Sequence, residues 1–344
     1  MTAALKDVLD GLVEGNSLSE DHACELMLAF TDAGMNPAMA GALLAALRAK
    51  GPTPAEVRGF ARGMRSLARQ PALPPGLPVA DLVGTGGDAS HSYNLSTGAA
   101  LLAAAAGVPI AKHGNRSVSS NSGSADVLER LGLPMPLDEQ QAGRCLEATG
   151  FTFLFAPHYH PAMKAIAPIR AAMGVRTIFN LLGPLTNPAG TRFGVVGAWS
   201  MSIARLMAET LAGMEIERVL VLHGDNGWDE PTPVAPFTLL TVTPGSVTES
   251  RRSAGDYGLP ACTEADLRGG DAAHNAAALA AVLRGEETGA HRDALLMGAA
   301  LLLEATGRVA DPSEAALAAA AAIDDGRAAR TLDALIAFGA SVRG

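Results

Sequence analysis

The chain has 344 residues, which exceeds the usual size of one domain, so we expect two domains. Hydrophobic residues make up 48% of the sequence, which is ample for buried cores, whereas aromatic residues make up only 4%, so aliphatic side chains must do most of the packing. The formal net charge of −9 argues against a broad nucleic-acid-binding face but does not exclude an anionic small molecule, because such a ligand responds to local charge.

The first 70 residues carry helical patterns and no convincing strand. Apolar residues at helical spacing predict one helix near the N-terminus and another that begins at Ser19. Pro37 and Pro54 stand where further helices would start, since proline suits the first turn of a helix. The proline-rich stretch 71–78 is typical of a connector. These patterns predict a small helical domain.

Beyond the connector, short apolar runs alternate with helical segments. The predicted strands are 80–83, 108–111, 151–155, 193–198 and 218–222. Such alternation is typical of an α/β domain with a mainly parallel central sheet, in which ligands bind beyond the carboxyl ends of the strands. The segments expected at those ends are 84–97, 112–115, 157–163 and 223–230.

The segment after the first predicted strand is the most informative part of the chain. The run Asp81-Leu-Val-Gly-Thr-Gly-Gly-Asp88 brings three glycines together, and Asn94, Ser96 and Thr97 then open an alanine-rich helix. Glycine lets backbone N–H groups approach a ligand closely, and a helix start offers unpaired N–H groups at its positive end. The pattern predicts an anion-binding loop, although a glycine cluster alone is more often a plain turn.

Polar residues follow the second predicted strand. Lys112-His-Gly-Asn-Arg116 and the serines after it combine two cations with hydroxyl and amide groups, which suits a phosphate-rich ligand. The segment 122–126 leads into a helix predicted to start near Asp126. A solvated polar loop is the alternative interpretation.

Two adjacent carboxylates, Asp229 and Glu230, end the loop after the last predicted strand. Such a pair can hold a hard cation such as Mg²⁺, which often bridges to substrate phosphates, and simple exposed charge is the alternative. The sequence has no Walker motif and no GxGxxG, so it indicates neither an ATPase nor a dinucleotide enzyme. Arg170 lies in a predicted helix, where an arginine is usually surface charge, and 180–188 is typical of a rigid turn.

The cysteines and the N-terminus indicate a cytoplasmic protein. Cys24, Cys145 and Cys262 are far apart and lack CxxC spacing, so we expect reduced packing residues rather than a disulfide or zinc framework. The N-terminal residues have no long apolar core and predict no signal peptide. The apolar run 101–108 is too short to span a bilayer, so no membrane partner is expected.

Taken together, these segments resemble the anthranilate phosphoribosyltransferase family, within the nucleoside phosphorylase and phosphoribosyltransferase superfamily. The motifs occur in the family's order over nearly the whole chain. They are Gly84-Thr-Gly-Gly-Asp88, Asn94-Leu-Ser-Thr97, Lys112-His-Gly-Asn-Arg116, Ser122-Gly-Ser-Ala-Asp-Val-Leu-Glu129, His160-Pro-Ala-Met-Lys164, Arg176-Thr-Ile-Phe-Asn180, Gly183-Pro-Leu-Thr-Asn-Pro188, Asp229-Glu230 and Gly269-Gly-Asp271.

The resemblance implies a two-domain fold and a homodimer. An all-helical domain of residues 1–70, joined by helices around 165–185, would pack on an α/β domain of residues 75–344 that binds the phosphoribosyl donor. The homodimer contact is expected through the helical domain. The substrates implied are phosphoribosyl pyrophosphate and anthranilate, with Mg²⁺ as cofactor and two ions expected.

The implied reaction transfers the 5-phosphoribosyl group from pyrophosphate to the amino group of anthranilate, in tryptophan biosynthesis. No residue is expected to act as acid or base, because the aromatic amine is neutral and carries a lone pair. The implied donor-binding residues are Gly84, Gly86, Gly87, Asp88, Asn94, Ser96, Thr97, Lys112, Asn115 and Ser124. The implied acceptor-binding residues are Gly84, His113, Asn115, Arg170 and Pro184. The implied metal ligands are Ser96 for one ion and Asp229 with Glu230 for the other.

The sequence departs from the family pattern at a few positions. Ala89 replaces a common glycine, the loop 231–238 is off pattern, and Gly298 stands where asparagine is frequent. None of these changes removes a group that the chemistry requires. Other interpretations stay open: a different aromatic acid as acceptor, a nucleoside phosphorylase, and a non-catalytic nucleic-acid-binding paralogue.

Overall fold

The computed structural model describes residues 2–32, 34–86, 92–117 and 122–343. The helices in these ranges are α1 (Thr2–Val13), α2 (Glu20–Ala29), α3 (Pro37–Lys50), α4 (Pro54–Ser66), α5 (Leu95–Ala105), α6 (Ser124–Arg130), α7 (Glu139–Thr149), α8 (Ala156–Tyr159), α9 (Met163–Met173), α10 (Met201–Ala212), α11 (Ala272–Leu283), α12 (Ala290–Ala305), α13 (Pro312–Asp324) and α14 (Arg327–Ser341). The strands are β1 (Ala80–Gly84), β2 (Ile110–Gly114), β3 (Phe151–Phe155), β4 (Phe193–Gly197), β5 (Arg218–Gly224), β6 (Phe237–Thr243) and β7 (Ser246–Arg252).

The N-terminal helices begin where the sequence predicts them. Ser19 caps α2 by accepting the N–H of His22, and Thr53 forms a capping box with Glu56 at the start of α4. Pro37 and Pro54 occupy the first turns of α3 and α4. These local signals act within one turn of the chain, which is why they can be read without tertiary information.

The strands form one sheet in the order β3-β2-β1-β4-β5-β6-β7. The first five strands of the chain are parallel, and β6 and β7 form an antiparallel hairpin at one edge. The predicted fold class, a small helical domain plus an α/β domain with a mainly parallel sheet, is therefore confirmed. The hairpin was not predicted. Strand β7 is a solvent-exposed edge strand without an apolar face, whereas β6 is buried and apolar and begins at Phe237, inside the stretch 231–238 that was described as a loop.

Two predicted boundaries after β1 were wrong. The second strand runs from Ile110 to Gly114 rather than over 108–111, so Lys112 and His113 lie within β2 and not after it. The strand begins after Pro109, whose missing N–H suits a strand end better than a strand interior. Helix α6 begins at Ser124, one half-turn before the position predicted near Asp126.

The chain order of the parallel strands creates a crevice between β1 and β4. The chain builds β1, β2 and β3 outward in one direction and then returns to place β4 on the opposite side of β1. At such a switch point the loops leave in opposite directions, and a ligand can enter between them. Gly84 and Gly197 are register partners at this carboxyl end of the sheet.

Buried side chains form a core on each face of the sheet. One core includes α5 and α12, and the other joins the N-terminal helices to α10 and to residues near Phe179. The Phe179 ring contacts the rings of Phe30 and Phe60 edge-on, with both centroid separations at 5.9 Å. Within the described ranges, none of the helices is both long and apolar enough to cross a bilayer.

Candidate functional site

A glycine notch at the carboxyl ends of β1 and β4 holds Asp229. A Cβ atom on Gly84 would lie 2.5 Å from the Asp229 carboxylate, and one on Gly197 would overlap the Asp229 backbone oxygen. Glycine is therefore required on both strands for this approach. Asp229 is buried, so the pair of carboxylates is not simple exposed charge.

The two carboxylates accept hydrogen bonds from the predicted anion-binding loop. Asp229 accepts the N–H of Gly86 at 2.5 Å, and Glu230 accepts the N–H of Ser96 at 3.2 Å. Glu230 also accepts the Ser92 hydroxyl at 3.1 Å. Gly86 has a φ of +73°, which favours glycine. One N–H in the loop after β1 and one at the start of α5 therefore already donate to carboxylates in this structure.

Lys112 reaches the same place from β2. Its side chain is fully buried, and Nζ donates to the Leu82 carbonyl and, at 3.4 Å, to the Ser96 hydroxyl. Burial lowers the pKa of Lys112, whereas the charges of Asp81 and Glu230 act in the opposite direction. The structure thus brings a buried cation, a helix start and two carboxylates together at the switch point.

Asn94 links this loop to two other segments. Its Nδ2 donates to the Ser122 carbonyl at 3.2 Å, and its Oδ1 accepts from the Ser122 hydroxyl and from Asn275. Asn94 precedes α5 but makes no side-chain capping bond to it. Thr97 lies in the first turn of α5, and its hydroxyl is buried without a hydrogen-bond partner among the described groups.

Asp126 closes the polar loop that follows β2. Its carboxylate accepts the N–H groups of Ser117 at 3.1 Å and Gly123 at 3.0 Å, and the Arg116 guanidinium at 2.9 Å. Burial opposes ionisation of Asp126, but these donors outweigh it and lower its pKa. Asn115 is exposed on this loop, and a Cβ on Gly114 would lie 3.5 Å from the Cβ of Ser124.

His113 and His160 form a buried pair beside the Gly183–Leu185 turn. His113 Nδ1 donates to the Gly183 carbonyl at 3.1 Å. The two imidazole rings contact each other edge-on, with their centroids 5.0 Å apart. Burial lowers the pKa of His113 to about 4 and the pKa of His160 to about 3. Both rings are therefore neutral at pH 7, and Pro184 follows Gly183 at the same turn.

The buried side chain of Asp81 is hydrogen-bonded to residues beside the Gly183–Leu185 turn. Asp81 accepts the side-chain amide of Asn187 at 2.8 Å and the backbone N–H of His113 at 3.3 Å. Asn187 also donates to the Ala111 carbonyl at 2.7 Å. Asp81 and Asn187 therefore connect β1, β2 and the turn that carries Pro184.

The neutral histidine pair makes the fold sensitive to acid. Because the unfolded chain binds protons at these histidines below about pH 6.5 and the folded chain does not, stability is lost as the pH falls towards the folded pKa values. We expect each histidine to lower the free energy of unfolding by about 2 kcal/mol at about pH 5 relative to pH 7. Urea unfolding of the wild-type chain and His113→Gln at both pH values measures this.

The matched control for this prediction is His22→Gln, because His22 is exposed on α2. Its stability difference between the two pH values should equal that of the wild-type chain. A His113→Gln chain that loses as much stability in acid as the wild-type chain would contradict the prediction.

Arg170 lies on α9, as predicted, and it is only half-buried. Its guanidinium stacks over the Phe179 ring at 5.2 Å, and burial lowers its pKa. Over the part of the chain that the structure describes, no carboxylate forms an ion pair with it. A partly buried cation without a partner is unfavourable, so this position favours an anionic ligand.

Two predicted donor-site residues lie outside the described ranges, and two residues of the site were not predicted from the sequence. Gly87 and Asp88 lie outside the described residues, as does Ala89. Sequence reasoning missed Gly197 and Asn275. A signal existed for Asn275, because an asparagine stands on the buried, otherwise apolar face of α11.

Two family models match the chain. The model described as "Glycosyl transferase family, a/b domain" matches residues 76–329. The model described as "Glycosyl transferase family, helical bundle domain" matches residues 6–68. The two matches fall on the α/β and helical parts of the fold, respectively.

Curated relatives and solved structures match along almost the whole chain. An anthranilate phosphoribosyltransferase of Desulforudis audaxviator is 44% identical over 97% of this chain and 96% of that protein. The anthranilate phosphoribosyltransferase structure from Thermus thermophilus has a TM-score of 0.90 at 40% identity and covers 97% of this chain and 99% of that one. The Saccharomyces cerevisiae enzyme in complex with PRPP and Mg has a TM-score of 0.89 at 26% identity, with 99% of both chains covered. The yeast enzyme in complex with 4-fluoroanthranilate has a TM-score of 0.88 at 25% identity, also over 99% of both chains.

Proposed function

Because this chain belongs to the anthranilate phosphoribosyltransferase family, we propose that it transfers the 5-phosphoribosyl group of phosphoribosyl pyrophosphate to the amino group of anthranilate. The products are N-(5-phosphoribosyl)anthranilate and pyrophosphate, in tryptophan biosynthesis. The observation that carries the proposal is the convergence of Lys112, the start of α5 and the Asp229–Glu230 pair at the switch point. The relatives give no support for another acceptor or for a nucleic-acid-binding role.

The donor site faces the charge that develops during the reaction. Breaking the bond between ribose C1 and oxygen builds positive charge on the sugar and negative charge on pyrophosphate, as in other glycosyl transfers. We assign the backbone N–H groups of Gly86 and Ser96, together with Lys112, to the leaving group. In this structure the two N–H groups donate to Asp229 and Glu230, and Lys112 donates to the Ser96 hydroxyl. The remaining donor-binding residues of this proposal are Gly84, Gly87, Asp88, Asn94, Thr97, Asn115 and Ser124.

The carboxylate and hydroxyl oxygens of the site are the kind of ligand that Mg²⁺ prefers. Asp229 and Glu230 would hold one ion and Ser96 would help to hold a second one. Across the described residues, no cluster of three or more acidic, histidine or cysteine side chains forms a closed metal site. Mg²⁺ typically uses one or two carboxylates and completes its shell with water and substrate phosphates, so a third carboxylate is not required. Bound Mg²⁺ would neutralise charge on the leaving pyrophosphate.

The acceptor site orients anthranilate rather than activating it. Arg170 would bind the carboxylate, and Gly84, His113, Asn115 and Pro184 would surround the ring and the amino group. The amine of anthranilate needs no base, and the low pKa of His113 keeps its ring neutral beside the developing positive charge. Holding the two substrates in line is the larger catalytic contribution.

The proposal includes an assembly and a domain division. The helical domain of residues 1–70, together with the segment 165–185, would pack on the α/β domain of residues 75–344. Packing of Phe179 against Phe30 and Phe60 supports the inclusion of 165–185. A cytoplasmic homodimer through the helical domain is proposed, and the exposed side chain of Val13 on α1 is available to it.

The first test is anthranilate fluorescence. With phosphoribosyl pyrophosphate and Mg²⁺ present, the fluorescence is expected to fall as the amine is ribosylated, and chelation of Mg²⁺ should stop the decay. Substituted benzoates assayed alongside test the choice of acceptor. An unchanged signal from protein that binds the donor in a calorimetric titration would contradict anthranilate as the acceptor.

A further inference from the structure

Two asparagine side chains, the buried Asn275 and the partly buried Asn94, join α11 to the start of α5. Asn275 is 1% exposed, and its Nδ2 donates to Oδ1 of Asn94 at 2.9 Å. Its own Oδ1 accepts the backbone N–H of Gly270 at 2.7 Å. Asn94 donates in turn to the Ser122 carbonyl. The chain of hydrogen bonds runs from Gly270 through both amides to Ser122.

The two ends of this chain determine how both amides are oriented. A backbone N–H only donates and a backbone carbonyl only accepts. The Gly270 N–H therefore requires the oxygen of Asn275 on its side, which turns the Asn275 NH₂ group towards Asn94. The Asn94 oxygen must face that NH₂ group, and its nitrogen must face the Ser122 carbonyl. If either amide exchanged its oxygen and nitrogen positions, two hydrogen-bond donors or two acceptors would face each other.

Asn94 depends on outside support for its position. Its backbone has φ +21° and ψ 51°, the only positive φ of a non-glycine residue in the described ranges. Such a conformation is sparsely populated and persists when surrounding contacts hold it. The adjacent residue Tyr93 is hydrogen-bonded to the segment that precedes α11, because its N–H donates to the Leu267 carbonyl at 3.3 Å. A Cβ on Gly269 would lie 2.6 Å from the Ser92 carbonyl oxygen, so the two segments are in close contact.

We propose that Asn275 is a positioning residue for the phosphoribosyl pyrophosphate site, because it sets the amide orientation of Asn94. This inference rests on the proposed function. Because Asn275 is 1% exposed, it would act through Asn94 rather than contact the donor itself. The oxygen of Asn94 is engaged by Asn275 and Ser122. Under the proposal, the second N–H of the Asn94 amide donates to a phosphate or a ribose hydroxyl of the phosphoribosyl donor. The segment 267–275, which contains the Gly269-Gly-Asp271 motif, thus supports the donor site through Asn275, a residue that none of the motifs includes.

The test is Asn275→Asp, which keeps the shape of the side chain. The introduced carboxylate still accepts the Gly270 N–H but cannot donate to Asn94, whose oxygen it repels. We expect the KM for phosphoribosyl pyrophosphate to rise about tenfold, with the anthranilate KM changed by less than about twofold. Ala277→Asp is the matched control, because it adds the same charge at an exposed position of α11 and should leave both KM values unchanged.

A double-mutant cycle separates positioning through Asn94 from a general structural effect. In an Asn94→Ala background, Asn275→Asp should cause no further rise of the donor KM. The same rise in both backgrounds, or an unchanged donor KM in an active Asn275→Asp chain, overturns the inference.

Asn275→Ala is expected to raise the donor KM in the same way, and it replaces Asn275→Asp if the aspartate variant does not fold. A wild-type chain without transferase activity would count against the proposed function instead. In that case, titration of the wild-type and Asn275→Asp chains with phosphoribosyl pyrophosphate and Mg²⁺ would still compare their affinities for the donor.

Discussion

The double variant Asp229→Asn with Glu230→Gln is expected to lower kcat/KM by about 10³-fold. The amides fill the same space, so Asp229→Asn keeps the notch between Gly84 and Gly197 occupied. They carry no charge and bind a hard cation poorly. Loss of metal stabilisation of the leaving pyrophosphate is worth several kcal/mol, and about 1.4 kcal/mol corresponds to a tenfold change in rate. Steady-state kinetics over a range of Mg²⁺ concentrations measures the effect.

Binding of inorganic pyrophosphate gives a readout that does not depend on turnover. In this structure the two carboxylates accept the N–H groups of Gly86 and Ser96, which the proposal assigns to the donor. Without metal, pyrophosphate would have to displace two negative groups from those positions. The double variant should therefore bind metal-free pyrophosphate more tightly than the wild-type chain does and gain less from added Mg²⁺.

The control for both readouts is Asp225→Asn. Asp225 is an exposed carboxylate in the same loop, paired with Arg251, and its removal should change neither the rate nor pyrophosphate binding. Wild-type rates from the Asp229→Asn, Glu230→Gln chain at limiting Mg²⁺ would show that the metal site lies elsewhere.

Arg170→Ala is expected to raise the KM for anthranilate by roughly 10²-fold and to change the donor KM much less. The guanidinium has no carboxylate partner among the described residues and is partly buried over Phe179. A hydrogen-bonded contact with a charged group contributes about 2–3 kcal/mol, which corresponds to that change in affinity. Kinetics with each substrate varied in turn at saturating levels of the other measures both constants.

A second substitution on the same helix serves as the control for Arg170. Lys164 is exposed on α9, so Lys164→Ala removes one positive charge without touching the acceptor site and should leave the anthranilate KM unchanged. An equal rise of both KM values in Arg170→Ala would place Arg170 outside the acceptor site.

Local patterns in the sequence predicted the starts of α2, α3 and α4 and the approximate positions of the parallel strands. Ser19 and Thr53 act within one turn of the helices that they cap, so their effect does not depend on distant residues. The polar character of Lys112 misled the prediction of β2, because a lysine is rarely buried in a strand unless polar groups from other segments surround it. Those groups, the Leu82 carbonyl and the Ser96 hydroxyl, come from residues 16 or more positions away.

The sequence by itself determined the class of fold, the glycine-rich loop before α5 and the chemical types of the predicted site residues. These features depend on short-range periodicity, on backbone freedom at glycine and on side-chain chemistry. Only the tertiary structure decided that Asp229 lies between Gly84 and Gly197, that the Glu230 side chain accepts the N–H of Ser96 at the start of α5, and that Asn275 donates to Asn94. Most of these contacts join residues that are far apart in the chain, such as Ser96 and Glu230, and sheet order and helix packing, not local propensity, bring them together.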